Sequence, residues 1–200
     1  MNKTSIISFF TLIVFLGIGS SWVINKANES NSIPPPIMRK IPDFNLMNYD
    51  GKPFSRDSLF NKISVIDFIF TSCPGPCPIM SKNMKELYNQ YKLHPDLQFI
   101  SISVDPDYDQ LDVLNAYADA NGVVDKRWKF LRGKMTDIKN LSTNGFLFMS
   151  ENLPAGHSVK FVLLDSNANI RQYYDGTDKA SISILRKHLN IFLKNMNLKS

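Results

Sequence analysis

Ile63-Ser64-Val65-Ile66-Asp67-Phe68-Ile69-Phe70 runs directly into Thr71-Ser72-Cys73-Pro74-Gly75-Pro76-Cys77-Pro78, and this junction decides the fold. The first eight residues are a near-continuous apolar run, the pattern of a central strand buried on both faces. Beyond Cys77, Met80, Met84, Leu87, Tyr88 and Tyr91 recur at three- and four-residue spacing, and the stretch from Ser81 to Lys92 holds neither Gly nor Pro. A helix therefore follows the cysteines. A dithiol between a buried strand and a helix N-terminus faces unpaired amides and the positive end of the helix dipole, both of which stabilise thiolate.

Downstream, Leu97 to Val104 (LQFISISV) reads as a second strand. Asp109 to Asn121 reads as a helix with Leu111, Leu114, Tyr117 and Ala118 on one face and Gly122 placed to end it. Val159 to Leu164 is a strong apolar strand, Asp165 to Asn169 a turn-rich loop, and Ile170 to Tyr174 its returning partner. Ser181 to Leu193 closes the chain as an amphipathic helix carrying Ile184, Leu185, Leu189 and Phe192. Upstream, Asp43 to Phe54 reads as a hairpin turning at Asp50-Gly51. Strand, helix, strand, helix, hairpin and helix is the order of an α/β thioredoxin-like fold, a central mixed sheet flanked by helices.

The 200 residues leave room for one medium domain behind an N-terminal appendage. Between Ser5 and Ile24 there is no charged residue, and Ile, Leu, Val and Phe dominate. About twenty such residues at a helical rise just cross a bilayer core, and Trp22 suits the interface. The expectation is a tail at residues 1–4, a transmembrane anchor at 5–24, a Pro-rich linker at 25–40 with Pro34-Pro35-Pro36 extended, and a domain at 41–200. A cleaved signal peptide is the rival, against which stand the length of the apolar run and the lack of a convincing small-x-small site before Asn25. Lys3 on one side and Lys26, Arg39 and Lys40 on the other do not set orientation. A short tail before one apolar segment sends the domain to the extracytoplasmic side, such as the periplasmic face of a bacterial inner membrane.

A net charge of +5 with scattered Lys and Arg, no basic run and no aromatic interleaving argues against nucleic-acid binding. Cys73 and Cys77 are the only cysteines, too few for a disulfide scaffold, and their closeness points to chemistry. Two soft thiolates at this spacing suit Cu(I) and can also close a disulfide.

Four segments carry a family resemblance. Cys73-Pro74-Gly75-Pro76-Cys77-Pro78 is similar to the copper motif of the Sco/SenC family. Ser103-Val104-Asp105-Pro106-Asp107-Tyr108-Asp109 resembles its S-[VI]-D-P-x-x-D stretch, Trp128 to Gly133 its W-x-F-L-T-G with Arg132 in place of threonine, and Gly156-His157-Ser158 its histidine. Gly75 stands where the family usually carries an acidic residue. The resemblance runs from about Pro42 to Leu193 in the same order. It implies a metallochaperone that binds Cu(I) and Cu(II) through Cys73, Cys77 and His157. The implied role is to help assemble the CuA centre on subunit II of cytochrome c oxidase, with a thiol reductase and the lipid bilayer as further partners.

Other readings stay open beside this one. A thiol-disulfide oxidoreductase that keeps the oxidase cysteines reduced needs the Cys73–Cys77 dithiol but no imidazole, and a redox or copper sensor is a third possibility. Asp67 is out of place in a buried strand. Six residues before Cys73, it matches the offset of the buried acid of thioredoxins and is a candidate for proton transfer to the thiols, or else a structural partner for a nearby Lys or amide. Asp109 reads as a helix cap and Asp105-Pro106 as a turn, where the resemblance implies an acidic pair positioning a loop near the metal. Met80, Met84 and Met149 are soft side chains, the first two at core spacing. His94 and His188 read as exposed.

Overall fold

The computed structural model describes Ser20 and residues 33–197, and its folded unit begins at Pro35. In chain order, β1 (Arg39–Lys40), β2 (Asn45–Asn48), β3 (Pro53–Ser55) and a 3-10 turn (Arg56–Leu59) precede β4 (Ile63–Ile69). Next come α1 (Cys77–Gln90), β5 (Leu97–Ser103), α2 (Leu111–Ala120), β6 (Trp128–Arg132) and α3 (Met135–Asn140). A π-helical turn (Leu141–Gly145), β7 (Lys160–Leu164), β8 (Asn169–Asp175) and α4 (Lys179–Asn197) complete the unit. The eight strands form one sheet in the order β1-β8-β7-β4-β5-β6-β2-β3.

The expected strand at Ile63 to Phe70 is β4, and every one of its residues is buried. It pairs in parallel with β5, which is buried throughout, and antiparallel with β7; β5 pairs in parallel with β6. Alternation along β4 sends Val65, Asp67 and Ile69 to one face and Ile66 and Phe68 to the other. On the first face lie α1 and α2, with Tyr88 against Phe99 and Trp128, and Tyr117 against Phe130. On the second, Phe68 meets the edges of Phe146 and Phe148 beyond the π-helical turn. Both faces are therefore covered, which is why this strand is apolar but for Ser64 and Asp67.

The hairpin turns as expected, with Gly51 at φ +77° in the left-handed region that favours glycine. Gly122 ends α2 at φ +73° for the same reason. The last helix runs beyond its expected limits and buries Ile182, Leu185, Leu189, Phe192 and Leu193, while Ile184 points outward.

Three features depart from expectation. Arg39–Lys40, within the stretch read as linker, pairs with Ile170 and Asn169 as an edge strand. Pro35 is buried, and its carbonyl accepts from Arg171 Nε at 2.7 Å, while Arg171 also pairs with Asp165 at 2.9 Å. The folded unit thus starts inside the Pro-rich segment. Trp128–Arg132, noted above only as a motif, is a full strand, because its aromatic residues fill the space under Tyr88 and Tyr117. Finally, α3 and the turn after it had no periodic signal to mark them. Among the described residues no helix is long and apolar enough to cross a membrane. The span expected at 5–24 lies, except for Ser20, outside the described residues.

Candidate metal centre

Cys73, Cys77 and His157 come together at the end of the sheet where β4 finishes. One donor atom from each lies within 4.8 Å of the other two, and the residues are 9%, 1% and 8% exposed. Residues 73–76 are not helical: Cys73 lies in the loop after β4, its amide bonded to the Phe70 carbonyl at 3.2 Å, and Cys77 is the first residue of α1. Pro74 and Pro76 stiffen that loop, and a proline at a helix start gives up an amide that has no helical partner. Both thiols are free.

His157 stands just before β7, the strand beside β4. Its Nδ1 lies 3.1 Å from the Ser158 carbonyl, which can only accept, so Nδ1 carries the proton. That leaves the Nε2 lone pair facing Cys77 Sγ at 3.2 Å. The ring is held edge-on by Phe70, with centroids 5.4 Å apart. This is the arrangement of a metal-ligating histidine whose second nitrogen is anchored to a carbonyl.

Burial pushes the Cys77 thiol up, beyond the ordinary thiol range, and the neighbouring Cys73 and the Asp67 carboxylate push the same way. The helix N-terminus expected to favour thiolate is thus outweighed by desolvation. Burial also holds His157 below its ordinary value, so the imidazole is neutral at neutral pH. A cation entering here must displace the Cys77 proton. Metal bonds of about 2.0–2.3 Å hold donors roughly 3.5–4 Å apart, so this donor set closes on a three-coordinate metal with small side-chain movements.

Asp67 is fully buried on the α1 face, and among the described residues neither carboxylate oxygen has a partner at ordinary hydrogen-bond geometry, the Ser101 hydroxyl being the side-chain donor that bears on it. Burial raises it to about 7, opposed by Ser101, its neighbour in register on β5. Among the described residues no ion pair joins Asp67 to a Lys. Its charge is felt at Cys77 and at Tyr117, whose hydroxyl meets Ser81 at 2.7 Å one helical turn beyond Cys77.

Asp109 is not the cap of α2. That position belongs to Gln110, and Asp109 is completely buried. It accepts from the Thr71 and Ser103 hydroxyls at 2.5 Å each and from the Thr71 amide at 3.3 Å. It thereby ties the start of the cysteine loop to the end of β5. Arg132 donates to the Pro106 carbonyl at 2.8 Å and secures the same loop cluster from β6. A Cβ added at Gly75 would touch only Cys73 Sγ, at 4.0 Å, so the backbone there has room for a side chain.

The remaining candidates lie elsewhere. Met80 and Met84 are core residues, and Met149 is exposed on the loop leading to His157. His188 is not exposed: it is half-buried, and its Nδ1 meets the Tyr174 hydroxyl at 2.6 Å. His94 is half-buried against Tyr91.

The family model described as SCO1/SenC matches residues 36–191. The SCO1 protein homolog of Bacillus subtilis is 29% identical over 153 residues, covering 73% of this chain and 79% of that protein. Among solved structures, BsSco, described as a member of the Sco family of cytochrome c oxidase assembly proteins with a disulfide switch, superposes with a TM-score of 0.69. It is 26% identical, over 80% of this chain and 96% of that one. Copper-bound ScoI of Arabidopsis thaliana shares the fold at a TM-score of 0.64 and 21% identity, over 75% of this chain and 98% of that one.

Proposed function

Because the chain belongs to the SCO1/SenC family, we propose that it is a copper-binding assembly factor for cytochrome c oxidase that delivers copper to the CuA site. The observation that carries this reading is the convergence of two thiols and an imidazole lone pair in one nearly buried cluster. Sulfur supplies most of the affinity for Cu(I), and the harder nitrogen of His157 admits Cu(II). Copper is the cargo. Cys73 and Cys77 bind it as thiolates, His157 completes the set, and Ser158 and Phe70 fix the ring so that Nε2 stays turned inward. Asp109 and Thr71 hold the loop in place while the metal enters and leaves.

In this reading residues 5–24 anchor the chain in a membrane, and the domain works on the extracytoplasmic side. An oxidising compartment would close the Cys73–Cys77 disulfide, so a thiol reductase is a required partner. One observation favours a second reading, in which the dithiol reduces the cysteines of the oxidase subunit. Asp67, a buried acid near neutrality whose field reaches Cys77, is suited to taking and returning the thiol proton.

His157→Ala separates the two. Disulfide exchange needs an attacking and a resolving sulfur and no imidazole. In cells at limiting copper, the variant is expected to lose CuA assembly while the purified protein keeps its exchange rate. Normal CuA assembly would overturn copper delivery in favour of thiol reduction.

A further inference from the structure

A second site lies at the opposite pole of the sheet. The parallel strands β4, β5 and β6 begin there, eight or more residues from the cysteine loop along β4, and a cavity of about 430 Å³ opens between them and the β2–β3 hairpin. Two of its lining side chains are carboxamides with nothing to accept. Gln98 is 1% exposed; its Nε2 donates to the Ser58 carbonyl and to Ser64 Oγ at 3.0 Å each. The carbonyl accepts only, so the amide cannot be flipped, and Gln98 Oε1 is left buried without a partner. Asn48 is 7% exposed and repeats the arrangement: its Nδ2 donates to Asp50 at 2.8 Å and its Oδ1 has no partner.

Positive charge surrounds these two acceptors. Lys62, Lys126 and Lys129 line the same cavity, and among the described residues none of them forms an ion pair. Lys129 is half-buried, donates to the Lys126 carbonyl and stands 5.9 Å from the centre of the Phe54 ring. Burial and the charge of Lys62 lower it to about 8. Of the two carboxylates lining the cavity, Asp50 is engaged by Asn48 and by Lys52 at 3.6 Å and acts on Lys129 only through space, and Asp57 is exposed.

Unpaired ammoniums call for an anion, and buried carbonyl-type oxygens call for hydroxyl or N–H donors. A phosphate carried on a polyol offers both in a molecule small enough for the space, and Lys suits phosphate as a compact point charge. We propose that this cavity binds a polyol phosphate of the glycerol-phosphate type, its anion on Lys62 and Lys129 and its hydroxyls on Gln98 and Asn48. That chemistry is offered equally by a free metabolite and by a phosphatidylglycerol headgroup. The proposal does not depend on the copper reading, since no residue is shared.

The test is calorimetric titration of sn-glycerol 3-phosphate into the full chain held in phosphatidylcholine nanodiscs. Saturable binding is expected, at least tenfold weaker in Lys62→Gln/Lys129→Gln and unchanged in Lys82→Gln/Lys179→Gln, which alters equal charge elsewhere. Asn48→Ala, which also gives up the bond to Asp50, is expected to weaken glycerol 3-phosphate severalfold and inorganic phosphate hardly at all. Repeating the titration in discs containing phosphatidylglycerol identifies the source. Lost binding means the headgroup already fills the cavity, and retained binding means a free phosphate; both uphold the site. No binding at millimolar glycerol 3-phosphate in the neutral discs, equal affinity in the Lys62/Lys129 variant, or equal effects of Asn48→Ala on the two ligands would overturn the proposal.

Discussion

Two buried aspartates shape the cysteine end of the molecule in opposite ways. Asp109 is fully satisfied by Thr71 and Ser103, so it acts on the metal centre through the loop that carries Cys73. Asp109→Ala strands two hydroxyls and an amide in the interior. It is expected to lower stability by about 2–4 kcal/mol in urea unfolding and Cu(I) affinity at least tenfold, though all three donors remain. Unchanged affinity in a chelator competition would show that the loop holds its shape without the tie. Asp67 has no such partners and stays protonated in the fold up to about 7, against 3.8 for an ordinary aspartate. From roughly pH 4 to 7 the folded state therefore binds more protons at this group than the unfolded chain does. The stability it contributes is complete below that window and is lost as pH rises through it. Asp67→Asn removes the effect. The difference in urea midpoint between wild type and variant, measured on the reduced metal-free protein, is expected to move steadily toward the variant between pH 5 and 8. A difference that is flat with pH would mean that Asp67 is not protonated in the fold.

At the scale of elements, what was legible in the sequence was whatever repeats. The β4–α1 junction could be read because a near-continuous apolar run meets a helical spacing of Met, Leu and Tyr, and both cysteines are fixed by that junction. The place of His157 beside them was not readable from spacing, since 80 residues separate it from Cys77. It followed from the family resemblance, and the structure brings it there by setting β7 beside β4. Asp109 was misread because an aspartate just before a periodic segment has the local pattern of a cap, whereas its true partners are 38 residues away and at the end of another strand. The strand β1 had no local signal at all. Two exposed residues, Arg39 and Lys40, become a strand only because the edge of β8 is there to receive them and Arg171 grips the Pro35 carbonyl. A domain cut at Ile41 loses both. A fragment beginning at Ile41 is expected to be about 1–3 kcal/mol less stable than one beginning at Ile33, read from urea midpoints, since Arg171 keeps Asp165 but loses the Pro35 carbonyl and the β8 edge loses its paired strand. Equal midpoints would return residues 33–40 to the role of a plain tether.

Taken whole, the chain joins an uncharged N-terminal run to a domain whose site closes on reduced sulfur, and the two features bear on each other. Free thiols at Cys73 and Cys77 are the ordinary state in a cytosol and an achievement outside it. The compartment in which the domain stands therefore decides whether a reductase is needed at all. Residues 5–24 have the length and composition to cross a bilayer core, and the folded unit that starts at Pro35 has its own core. If 5–24 is an uncleaved anchor, the full chain is expected to sediment with membranes and to resist alkaline extraction, while the fragment from Ile33 stays in the soluble fraction. Mature protein beginning near Asn25 by mass spectrometry would replace the anchor with a cleaved signal. Side follows from protease access: with the outer envelope opened and the inner membrane sealed, the domain is expected to be digested. Digestion only after lysis would place it in the reducing compartment, where the dithiol needs no partner to stay open and copper would have to be delivered from the other side.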